Sequence, residues 1–118
     1  MLENIEEISI LLDFYGNMLS EKQREFLRLY HEENCSMPEI AAEYGVSRQS
    51  VFDAVNKAEK ALRSYEEKLG LYARFRRTSD QLSLIESEIT KLIEENSGNT
   101  ELVSRLSLIR EKAELLED

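Results

Sequence analysis

The sequence predicts an all-α fold: a helix-turn-helix core of three to four helices, then a long helix and a C-terminal helical hairpin or coiled coil. Three observations predict it. Apolar residues recur three and four positions apart along most of the 118 residues, the spacing that lines one face of a helix. The β-branched residues are scattered and do not alternate in runs, so no strand pattern emerges. Four glycines and one proline are too few to turn a multi-stranded sheet.

The first helix is expected from about Ile5 to Met18, with Ile5, Ile8, Leu11, Leu12, Tyr15 and Leu19 on its apolar stripe. Ser20 and Gln23 have the spacing of a capping box, in which each side chain bonds the other's backbone amide. The second helix then runs to about Glu32, burying Phe26, Leu27, Leu29 and Tyr30, and Glu33-Asn34-Cys35 connects it to the third. Ser36 and Glu39 repeat the capping box, and Pro38 sits in the first turn, where its missing N–H costs nothing. Gly45 ends this short helix, and Ser47 caps the next, which begins at Arg48.

Residues 37–56 have the pattern of a packed two-helix corner. Ala41 faces the following helix, where a larger side chain would force the helices apart. Gly45 takes a turn that needs positive φ. Ile40, Tyr44, Val46, Val51, Ala54 and Val55 are expected to form the shared interior. Ser47 leaves the first residues of the second helix free to project, and in this motif those residues enter the DNA major groove.

The exposed face of that helix is predicted to carry Arg48, Gln49, Phe52, Asp53 and Asn56, with Lys57 and Lys60 further along. Arg48 can pair with guanine, Gln49 or Asn56 with adenine, and Phe52 can meet a thymine methyl. Lys57 and Lys60 are placed for phosphates, and Ser47, the cap, is counted with them among the DNA-binding residues. The chain's net charge of −9 opposes DNA, but residues 47–77 carry eight basic against four acidic side chains and form a local basic stretch. Asp53 would repel phosphate, and an exposed Phe52 suits a protein partner as well. Duplex DNA and a protein partner therefore both stand on these residues alone.

From Leu62 onward the apolar spacing tightens towards heptads through Tyr65, Leu69 and Tyr72, shifts register near Gly70, and resumes as Phe75, Leu82, Ile85, Ile89 and Leu92. Ser97-Gly98-Asn99 is a turn, with Thr100 placed to cap the last helix. Leu102, Leu106, Ile109, Ala113 and Leu116 then form a seam that must be covered by the preceding helix, the core or a second subunit. Leu84, Leu108 and Leu115 widen the apolar surface beyond one hairpin, which predicts a homodimer through this segment. The organisation expected is a core domain at 1–70 and a dimerising hairpin at 71–118.

The catalytic constellations are missing from the pattern. His31 and Cys35 are the only residues of their types and cannot complete a tetrahedral metal site, so His31 reads as a surface histidine. Glu32, Glu33 and Glu39 surround Cys35 and disfavour a thiolate nucleophile. No Gly-rich phosphate loop occurs. The expectation is a non-enzyme without cofactor or metal. With no secretory leader, no apolar run of membrane-spanning length and a single cysteine, it is expected in the cytoplasm without membrane insertion.

Several stretches carry a resemblance. Leu12-Asp13-Phe14-Tyr15-Gly16, Leu19 to Arg24, Ile40 to Val51 and Tyr65 to Leu71 resemble the YlxM family, small bacterial proteins encoded beside the signal recognition particle GTPase Ffh. The resemblance covers most of residues 1–77. Residues 19–60 are also similar to region 4 of bacterial sigma factors, which reads promoter DNA with such a corner. The resemblance implies a regulatory role in the signal recognition particle pathway, with Ffh or its RNA as the alternative partner to DNA.

Overall fold

The computed structural model describes residues 2–117, and side chains from residue 6 onward, so Ile5 lies outside the described side chains. Its elements in chain order are α1 (Leu2–Tyr15), a 3-10 turn (Gly16–Met18), α2 (Glu21–His31), α3 (Met37–Tyr44), α4 (Arg48–Leu69), α5 (Leu71–Glu95) and α6 (Thr100–Leu115). No strand occurs among the described residues. The chain divides into two compact units, Met1–Tyr72 and Ala73–Asp118.

In the first unit α4 is the central element, with α1, α2 and α3 packed against it. Val51, Val55, Ala58 and Leu62 recur along its inner face and are buried against Ile8, Leu11 and Tyr15 of α1, Phe26 and Leu27 of α2, and Ile40 and Ala41 of α3. That burial outweighs propensity in holding the helices, since the short α3 would be marginal alone.

The helix ends are set by their own side chains. The Gln23 amide donates to Ser20 Oγ at 3.1 Å and the Ser20 amide to Gln23 Oε1 at 3.4 Å. Ser36 and Glu39 repeat the exchange at 3.2 and 3.1 Å, and the Ser36 bonds hold the Glu39 carboxyl below its ordinary pKa. Gly45 (φ +65°) and Gly70 (φ +60°) end α3 and α4 in the left-handed region open to glycine.

Five expectations change. Tyr30 is not on the buried side of α2: it is 36% exposed, its ring edge-on to His31 at 5.1 Å. Tyr44 is not in the interior: it is 44% exposed, packs edge-on against Phe26 at 5.0 Å, and its hydroxyl donates to Glu25 Oε1 at 3.4 Å. A phenol needs a polar partner, which draws the ring to the rim. His31 is not a surface residue. Its side chain is 7% exposed, and Nε2 lies 2.5 Å from Glu59 Oε1 on α4. Asn99, not Thr100, caps α6, its Oδ1 accepting from the Leu102 amide at 3.1 Å. The predicted α6 seam is also split. Ala113 is buried and Leu102 and Leu106 are half-buried, whereas Ile109 and Leu116 are exposed.

The second unit is an antiparallel hairpin. Leu82, Ile89 and Ala113 are its buried residues, and Arg110 Nη1 donates to Thr90 Oγ1 at 3.5 Å across it.

Candidate nucleic-acid interface

The corner is built by α3, the Gly45 turn and the N-terminal half of α4. Ile40 and Ala41 on one side meet Val51 and Val55 on the other, all buried, with Val46 and Ala54 half-buried at the edge. The Val46 amide donates to the Ala41 carbonyl at 3.0 Å, which closes the turn. Ser47 Oγ accepts from the Ser50 amide at 3.0 Å, so α4 starts abruptly and its first side chains stand clear.

Arg48, Gln49, Phe52, Lys57 and Lys60 are exposed and Asn56 is half-buried. Gln49, Asn56, Lys57 and Lys60 lie on the side of α4 away from its buried stripe and Phe52 lies at its flank, whereas Arg48, seven residues before buried Val55, is exposed because it stands in the first turn. Phe52 is 46% exposed, a large apolar ring left in water beside charged neighbours. Gln49 is already engaged, its Nε2 donating to Asp53 Oδ1 at 2.9 Å. This bond parks the negative group on the amide and holds one donor of the side chain predicted to read a base.

The structure adds residues that the sequence did not assign to the face. A shallow cleft of about 490 Å³ runs between the start of α2 and the start of α4, lined by Ser20, Lys22 and Gln23 on one side and by Ser47, Gln49 and Lys57 among others opposite. Lys22 thus stands near Lys57 across the cleft, thirty-five positions away in sequence. The capping boxes and serine caps mark both helix starts in the sequence, but nothing in their spacing shows that they converge.

Among the described residues, no group of three or more His, Cys, Asp or Glu could hold a metal ion. Nor is any described helix long and apolar enough to cross a membrane. Cys35 is a half-buried free thiol in the connector.

An all-α core, a glycine-turned two-helix corner and a freely projecting second helix define a helix-turn-helix protein. A family model described as "Putative helix-turn-helix protein, YlxM / p13 like" matches residues 2–103, and the chain belongs to that family. It is 43% identical over 81 residues to a relative from Desulforamulus reducens, covering 69% of each chain. It is 41% identical over 91 residues to a relative from Halalkalibacterium halodurans, covering 77% of this chain and 84% of the other. A third, from Anoxybacillus flavithermus, is 38% identical over 114 residues, covering 97% of this chain and 100% of the other.

Proposed function

We propose that the protein is a DNA-binding regulator acting in the cytoplasm as a homodimer, and that it takes part in the signal recognition particle pathway. The observation that carries the DNA reading is the exposed N-terminal face of α4, where Arg48, Gln49 and Phe52 have no part in the core. Lys57 and Lys60 extend that face, and Lys22 adds a cation across the cleft. Such a face matches the division of labour in duplex recognition, with base-edge readers at the helix start and phosphate contacts around them. A homodimer would bring two corners to two half-sites. The pathway rests on the family resemblance and not on any geometry of the face.

Selection of duplexes from a randomised pool tests the reading. One sequence class should be enriched, Arg48→Ala and Gln49→Ala should each weaken it about tenfold, and affinity should fall steeply with salt. Failure to enrich any duplex would overturn it.

The second reading is a protein-binding modulator of Ffh or its RNA. Exposed Phe52 beside Asp53 favours it, since an aromatic ring with an adjacent carboxylate suits a protein groove. Nuclease-resistant co-purification with Ffh, lost in Phe52→Ala, would support it over the first.

A further inference from the structure

The hairpin Ala73–Asp118 has one side that nothing in its own fold covers. Both helices carry heptad seams, but the hairpin uses half of each: Leu82 and Ile89 on α5, and Ala113 on α6, are buried. The other half, Ile85 and Leu92 on α5 with Ile109 and Leu116 on α6, is between 43% and 69% exposed. At about 100° per residue, Ile85 and Leu92 lie roughly a quarter turn back from the direction in which α5 faces α6. Ile109 and Leu116 lie the same quarter turn back on α6. Because the helices are antiparallel, equal rotations place both pairs on the same side of the hairpin. The opposite side holds Ser83, Ser87 and Glu94 on α5 and Glu111 on α6, all exposed. The hairpin is therefore amphipathic as a unit, with a continuous apolar strip along one side.

The charges beside the strip specify what covers it. Glu88 and Glu95 flank the exposed half-seam of α5, each at the position immediately before a buried-seam residue or its heptad equivalent. Arg105 and Lys112 hold the same heptad position on α6. All four are exposed, and among the described residues none enters an ion pair within the chain. One edge of the strip is thus acidic and the other basic. The Thr90–Arg110 bond sets the hairpin register, which brings Glu88 level with Lys112 and Glu95 level with Arg105.

We propose that this strip docks a second copy of the chain in an antiparallel four-helix bundle, Glu88 facing the partner's Lys112 and Glu95 facing the partner's Arg105. A two-fold axis along the hairpin sets each α5 over the partner's α6 and preserves levels, so acidic edge meets basic edge twice. A two-fold axis across the hairpin would set acid on acid and base on base, which the charge pattern opposes. Antiparallel neighbours bring these flanking heptad positions face to face, and the two half-seams close into one core.

The inference shares the second copy with the proposed function, but its readout needs no nucleic acid, so loss of the dimer and loss of DNA binding are separate results. Sedimentation of the full chain at micromolar concentration should give a dimer. Glu88→Lys with Glu95→Lys should weaken it about tenfold or more, as should Arg105→Glu with Lys112→Glu, with helicity unchanged. Mixing the two charge variants should restore a one-to-one dimer. Ile109→Asp with Leu116→Asp should leave a helical monomer. A monomeric wild-type chain, a dimer indifferent to Ile109→Asp with Leu116→Asp, or charge variants that are not rescued by mixing would each overturn the proposal, including the case in which another protein or the first unit covers the strip.

Discussion

Tyr15 and Glu66, fifty-one positions apart, together close the joint between α4 and α5. The Tyr15 hydroxyl donates to Glu66 Oε1 at 2.6 Å and accepts from the Leu71 amide at 3.0 Å, while the Tyr72 amide donates to the same Glu66 oxygen at 3.0 Å. The first amides of α5 therefore find their partners on α1 and α4 and not on a local capping residue. With Gly70 as the sole residue between the two helices, there is no room for a cap of the Ser-x-x-Glu kind.

Removing that hydroxyl should loosen the joint. Tyr15→Phe leaves the Leu71 amide without its acceptor and should lower Tm by about 5 °C. Burial first, and then Glu66, push the Tyr15 pKa above its ordinary 10.0. A group raised in the folded state contributes stability that is complete below its unfolded pKa and is lost as pH rises through the folded value. The wild type should therefore lose stability above about pH 10, and Tyr15→Phe should show a shallower alkaline slope in thermal melts.

The turn of the corner depends on backbone conformation and not on space. A Cβ at Gly45 would meet no heavy atom within 4 Å, yet φ is +65°. Gly45→Ala should cost about 1–2 kcal/mol in urea unfolding, and Gly45→Asn less, because asparagine tolerates this region better. Asn34, with φ +57°, already shows that tolerance at the end of α2.

The hairpin should respond to acid. Desolvation first, then the charges of Glu117 and Glu114, push the Glu86 carboxyl above its ordinary 4.5. As pH rises the unfolded chain ionises first, so this contribution is complete below about pH 4.5 and is lost through the raised value. Glu86→Gln should raise the neutral-pH melting temperature and flatten its dependence on pH above about 4.5, read by circular dichroism.

On the DNA reading, Asp53 restrains the face that it occupies. Asp53→Asn removes a negative charge and relaxes the hold on Gln49, and should raise duplex affinity several-fold at low salt. A fluorescence-anisotropy titration across salt concentrations measures it, and the gain should shrink as salt rises.

Local chemistry made much of the fold legible. Ser20, Ser36 and Ser47 each announce a helix start through contacts within three residues, Gly45 announces a helix end by its positive φ, and the structure realises all of them. The core stripe of α4 follows from spacing alone. What the sequence hides is pairing over distance. Nothing near His31 points to Glu59, and nothing near Tyr15 points to Glu66, because such bonds depend on how helices pack. Tyr44 looked interior because its spacing fits, but its hydroxyl moved it to the rim. The α6 seam was read as one stripe, and only the hairpin geometry divides it into a covered and an open half. In the candidate face, the projecting side chains of α4 were legible, and Lys22 was not, since convergence of two helix starts is a tertiary fact.

The unbroken run of α4 has a mechanical side. Twenty-two residues make a rod about 33 Å long, with the candidate face at one end and the Tyr15–Glu66 joint towards the other. A tilt of about 2° displaces the end of a rod of that length by about 1 Å. Hydrogen bonding to a base edge works within a few tenths of an ångström, so the alignment of Arg48 and Gln49 depends on how firmly α1, α2 and α3 clamp the rod along its length.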